Sequence, residues 1–125
     1  MRLIQVAQRA EDLKRAERFY AALLGAEPKA VFDPPGLVFF DVAGVRLLLE
    51  KGAPSSLIYV EVADLHGSVE SLRNRGVRII TEPQLIFAHD DDLLGPAQSE
   101  EWMAFIEDSE GNTVGLVSRI RASGD

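Results

Sequence analysis

Residues 3–8, LIQVAQ, alternate apolar and polar side chains, which predicts a strand with one buried face. Ile4 and Val6 fall on the side suited to packing under a helix, and Leu3, Gln5 and Ala7 on the other. The period then changes to a helical one: Leu13, Ala16, Phe19, Tyr20, Leu23 and Leu24 recur on one face, with Asp12 placed to cap the start and Gly25 the end. Half a chain later the same pattern returns. LIYVEV at 57–62 reads as a strand, Asp64-Leu65 opens a helix carried by Val69 and Leu72 to about Arg75, and Gly76 closes it. The two Asp-Leu pairs lie 52 positions apart and the two closing glycines 51 apart, so a tandem duplication is the simplest account.

The intervening pattern completes each copy. In the first, residues 27–28 open an extended stretch, and Phe32-Asp33-Pro34-Pro35-Gly36 breaks it, since proline withholds a donor and glycine relaxes φ. Two strands at 37–42 and 45–50 follow, joined by a tight turn at Ala43-Gly44. Residues 51–56 form a linker too short to let the copies move independently, so the chain reads as one domain, 1–125, built of modules at about 1–52 and 57–118. In the second module residues 77–80 are extended and Glu82-Pro83 is expected to end that strand. Residues 84–101 then form a lid-like loop without a counterpart in the first copy. Strands at 102–106 and 113–117 flank a turn at 108–112, and residues 119–125 are expected to fray.

Composition narrows the function classes. At 125 residues each half is too small to bury much core alone. A net charge of −7 argues against nucleic acid and against an anionic membrane surface as partners. There is no cysteine, which removes disulfides, thiolate metal sites and cysteine nucleophiles. The first residues contain no long apolar run, so neither a signal peptide nor a membrane span is expected, and the cytoplasm is the default location.

Two βαβββ units in tandem, closed by a Phe-x-x-Asp-x-x-Gly-Asn hairpin, resemble the vicinal-oxygen-chelate superfamily of glyoxalases, bleomycin-resistance proteins and dioxygenases. The resemblance is carried by Gln5, residues 10–13, Phe19-Tyr20, Leu24-Gly25, Glu50, Asp64-Leu65, Gly76 and residues 105–112, and it spans nearly the whole chain. It implies an α+β fold in which each unit forms half of a curved mixed sheet around a ligand cavity, often with a divalent metal, and many members are homodimers. Family metal sites use one residue on the first strand and one on the last strand of each unit. Carried over, these positions are Gln5 and Glu50 in the first unit and Leu57 and Gly115 in the second. Gln5 and Glu50 can donate oxygen to Zn, Ni, Mn or Fe; leucine and glycine side chains cannot. A third ligand could come from His89 or Asp90, from Glu61, or from a partner chain.

Alternation along the strands puts polar side chains opposite the helix-packing ones. Gln5, Arg46 and Glu50 do so in the first unit, Tyr59 and Glu61 in the second, as expected of a solvated pocket. Arg46, Tyr59 and Trp102 are the expected pocket walls, and Glu50 or Glu61 the proton carrier if the protein is an enzyme. Each also has a plainer explanation. Gln5 could bond a neighbouring strand, Glu50 could pair with Arg9 or Arg46, His89 could be a surface loop residue, and Trp102 could be core or a dimer contact. His66 reads as an exposed first-turn residue, residues 90–92 as a solvated charge run, and Ser68 and Ser71 lack a base. The leading expectation is a metal-assisted isomerase, epimerase or lyase acting beside a carbonyl. The alternative is a non-catalytic, ligand-sequestering protein of the bleomycin-resistance type, which the missing donors at Leu57 and Gly115 favour.

Overall fold

The computed structural model describes residues 1–121, which fall into two compact units. The first comprises Met1–Ser56 and the short segment Asp108–Asn112. Its elements are β1 (Gln5–Arg9), α1 (Leu13–Leu24), β2 (Ala30–Phe32), β3 (Leu37–Val42) and β4 (Val45–Glu50). The strands form a mixed sheet in the order β1-β4-β3-β2, with β1 parallel to β4 and the other pairs antiparallel. Asp12 accepts a hydrogen bond from the Arg15 amide and Gly25 takes φ 66°, so both expected caps of α1 are present. Ala16 and Tyr20 of α1 are buried, as are Val38, Phe40, Leu47 and Leu49 of the strands it packs on. The β3–β4 turn bends through Ala43 and Gly44 at φ 50° and 90°, the conformation a two-residue hairpin of this hand requires.

Two polar devices finish this unit. Gln8 faces the buried side of β1, where its amide oxygen accepts from the Ser56 N–H at 2.7 Å and its amide nitrogen donates to the Ser56 carbonyl at 2.9 Å. The side chain thus pairs with the linker as a strand would. In Asp108–Asn112 one Asp108 oxygen accepts from the amides of Glu110 and Asn112, and the other from the Tyr20 hydroxyl at 2.6 Å and the Asn112 side chain. Asn112 also donates to the Arg9 carbonyl, while Glu110 accepts from the Asp12 amide and the Arg15 guanidinium at the start of α1. The Asp-x-x-Gly-Asn pattern is therefore a turn that ties down a helix N-terminus. It carries no open chemistry, because no buried side-chain polar atom among the described residues lacks a partner.

The second unit comprises Leu57–Glu107 and the chain from Thr113 onward. Its elements are β5 (Ile58–Glu61), α2 (Leu65–Asn74), β6 (Ile79–Ala88), β7 (Ser99–Glu107) and β8 (Thr113–Arg121). The strand order β5-β8-β7-β6, again with one parallel pair, repeats that of the first unit, as a duplication would. Asp64 caps α2, whose Leu65, Val69 and Leu72 are buried, with Ala104, Ile106, Val114 and Leu116 in the same unit's core. Three sequence expectations need correction. Pro83 does not end β6: the strand runs on to Ala88, because it lies at the sheet edge, where a missing N–H is tolerated, and the register shift between Thr81 and Gln84 spans the ring. The lid-like loop consequently shrinks from 84–101 to the stretch between Ala88 and Ser99. Arg119, Ile120 and Arg121 do not fray but extend β8; residues 122–125 of the expected tail lie outside the described residues.

Candidate functional site

In the first unit β1 and β4 run parallel with Gln5 beside Arg46, Ala7 beside Leu48 and Arg9 beside Glu50. Gln5, Arg46 and Glu50 do share the sheet face opposite α1. Gln5 and Glu50, however, are four register steps apart, roughly 13 Å at about 3.3 Å per residue. They are therefore not cross-strand neighbours, and each has a different side chain beside it. The side chains next to Gln5 are a cation and a leucine instead. Arg46 lies over the Phe39 ring, 5.9 Å from its centroid, which gives this face a cation–π stack where the metal was expected.

In the second unit the strand face opposite α2 holds a hollow of about 270 Å³ lined by Tyr59, Glu61, Glu101, Met103, Val117 and Arg119. Pairing explains the set: Tyr59 lies beside Gly115 and Glu61 beside Val117, while Met103 and Glu101 lie beside Val117 and Arg119 from the opposite flank. Alternation then turns all six to one side. Glu101 is the polar centre. Its Oε1 is 3.0 Å from His89 Nε2 and 3.3 Å from Arg119 Nε. A carboxylate can only accept, so His89 carries its proton on Nε2. His89 is only 4% exposed and packs edge-on against Phe87 with ring centroids 4.8 Å apart. It is therefore not a surface residue. Gly95 in the loop after β6 comes so close that a Cβ there would stand 3.0 Å from His89 Nε2 and 3.4 Å from Arg119 Nε. The loop therefore lies directly on the His89–Glu101–Arg119 cluster.

Tyr59 is 52% exposed and meets Phe105 edge to face, with centroids 5.9 Å apart. Between them on β8 is Gly115, where a Cβ would stand 2.5 Å from the Tyr59 ring and 3.2 Å from Phe105. The position at which the resemblance expects a donor is thus filled by an aromatic ring. Trp102, expected as a pocket wall beside Tyr59, alternates to the other face of β7. There it meets His66 edge to face at 5.7 Å and lines a separate recess with Leu65 and Ile120. Glu101, Met103, Phe105 and Arg119 were missed by the sequence reading. Their period-two spacing within residues 101–105 was available as a signal, but 101 and 119 lay in segments read as loop and tail.

Among the described residues no group of three His, Asp or Glu side chains is arranged to hold a metal ion. Arg46 beside Gln5, and Tyr59 over Gly115, oppose one by charge and by volume. The residues present do not fit the divalent metal that the resemblance implies.

The model of the Glyoxalase/Bleomycin resistance protein/Dioxygenase superfamily matches residues 2–116. No curated protein matches the chain by sequence. Solved structures similar to it include a glyoxalase/bleomycin resistance protein/dioxygenase from Alicyclobacillus acidocaldarius, with TM-score 0.64 and 17% identity over 94% of this chain and 90% of that one. A lactoylglutathione lyase from Agrobacterium tumefaciens gives TM-score 0.67 and 20% identity over 94% and 92% of the two chains. TnmS3, an antibiotic binding protein from Streptomyces sp. CB03234, gives TM-score 0.70 and 20% identity over 94% and 95%. At such identities the likeness speaks for the fold.

Proposed function

The chain belongs to the glyoxalase/bleomycin resistance protein/dioxygenase superfamily, and on that premise we propose that it sequesters a small organic molecule in the hollow of its second unit, without catalysis and without a protein-held metal. The observation that carries this reading is the lining of that hollow. Aromatic and thioether walls from Tyr59 and Met103 surround a few polar groups, Glu61, Glu101 and Arg119, as in sites that bind organic ligands. Glu101 is held by His89 and Arg119 and so serves orientation better than proton transfer. The metal-assisted reading that led on sequence grounds loses its support with the separation of Gln5 from Glu50. The antibiotic binding protein TnmS3 shows that this fold is used for binding an antibiotic, and a lactoylglutathione lyase shares it too.

The protein is proposed to act in the cytoplasm as a homodimer. Among the described residues no helix is long and apolar enough to cross a membrane. Edge strand β6 leaves Leu85, Ile86 and Phe87 about half exposed, a surface suited to a second copy.

The test pairs ligand binding with metal analysis. A thermal-shift screen of small aromatic molecules should give stabilising ligands whose effect is lost in Met103→Trp, which fills the hollow, and reduced in Tyr59→Ala, which removes its aromatic wall. Protein purified without chelator or affinity tag should contain less than about a tenth of an equivalent of Zn, Ni, Mn or Fe. Stoichiometric metal that disappears in Glu50→Ala would return the metal-assisted reading.

A further inference from the structure

The charge and the flat surface of the hollow narrow the ligand class, granted the reading that the hollow is the binding site. Gly115 stands on the central strand β8 between Tyr59 on one side and Phe105 on the other. Because it has no side chain, the Tyr59 ring lies down over the strand, with a hypothetical Cβ only 2.5 Å from the ring. Aromatic cover of a strand glycine is also a purely structural device. Here, though, Tyr59 stays 52% exposed and its ring forms one wall of the hollow. It is a shelf as well as a lid for the strand.

Two steps along β5 on the same side is Glu61, roughly 7 Å from Tyr59 at about 3.3 Å per residue. Glu61 is exposed and makes no ion pair among the described residues, whereas Glu101 is already shared by His89 and Arg119. The hollow thus contains two carboxylates against one guanidinium, in a chain of net charge −7. A cation gains at both scales and an anion loses at both.

We propose that the ligand is a flat aromatic cation, its ring stacked on Tyr59 and its charge directed to Glu61, and that Gly115 selects this class by letting the Tyr59 ring lie down. A side chain at 115 would tilt the ring and remove the shelf while leaving Glu61 in place.

Fluorescence titration of the full chain with proflavine, a flat tricyclic cation, against 1-anilinonaphthalene-8-sulfonate, an aromatic anion, tests the assignment. Proflavine should bind at one saturable site, at least tenfold more tightly than the anion. Tyr59→Ala should weaken proflavine about tenfold and Tyr59→Phe less than twofold, which separates the ring from the hydroxyl. Glu61→Gln should weaken it about fivefold and flatten its salt dependence. Gly115→Ala should weaken it severalfold; circular dichroism and the melting temperature of each variant report whether the fold persists. Equal binding of the two dyes, with both lost in Met103→Trp, overturns the ligand class and keeps the hollow as the site. Proflavine binding that ignores Met103→Trp and Tyr59→Ala, or no saturable binding, overturns both.

Discussion

Glu110 shows how a single side chain links the Asp108–Asn112 turn to α1. Its side chain is fully buried, and burial by itself would raise its pKa. Hydrogen bonds from the Arg15 guanidinium, the Asp12 amide and the Ser109 hydroxyl, with the positive charge of Arg15, outweigh that and lower it from 4.5 to about 2. A carboxyl with a depressed folded-state pKa contributes stability that is complete above its ordinary value and is lost as pH falls through the folded value. The window is therefore pH 4.5 down to about 2. Glu110→Gln should cost roughly 2 kcal/mol at neutral pH, and its deficit should shrink steadily across that window. Urea unfolding at pH 7, 4 and 2 measures it; a deficit that stays constant with pH would remove the ion pair from the account. Tyr20 belongs to the same network, its pKa pushed well above the usual value by burial first and then by Asp108.

At the level of elements, the linker of residues 51–56 is held by a side chain rather than by a strand. Gln8 supplies both a donor and an acceptor to the Ser56 backbone, and the Ser56 hydroxyl donates to the Ala7 carbonyl at 2.7 Å. Gln8→Ala leaves the Ser56 N–H and carbonyl unpartnered, and should cost about 2–3 kcal/mol. Gln8→Glu keeps the acceptor but sets a carboxylate against a carbonyl, so it should not rescue. Amide exchange at Ser56 checks the mechanism: it should accelerate in Gln8→Ala beyond the change at Leu49, whereas equal acceleration at both would mean only global loosening. Elements with strong local signals were legible from sequence. The caps at Asp12, Gly25 and Asp64 and the Ala43-Gly44 turn are local and fell where expected. What escaped depends on neighbours. Pro83 stops a central strand but not an edge one, and only the sheet order makes β6 an edge.

For the molecule as a whole, the duplicated pattern foretold two βαβββ units, yet the candidate site did not follow from it. Spacing placed Gln5 and Glu50 on one face but could not give the β1–β4 register, which separates them. The same limit put Trp102 in the wrong recess, since one step of alternation decides the face. A larger consequence concerns assembly. β6 is ten residues long, lies at the sheet edge and leaves Leu85, Ile86 and Phe87 about half exposed, next to a loop whose Leu93 and Leu94 are more exposed still. Natural edge strands are usually short, charged or covered, so one this apolar calls for a cover. Light scattering at tens of micromolar should give twice the 13.7 kDa chain mass. The double variant Leu85→Lys, Ile86→Lys puts two like charges on each copy at that edge, and should give the single mass with an unchanged circular dichroism spectrum. Neither residue lines the Tyr59 hollow, so monomeric variant protein should still bind whatever the wild type binds there. A wild-type chain that stays monomeric at a hundred micromolar would instead leave this edge to a different partner.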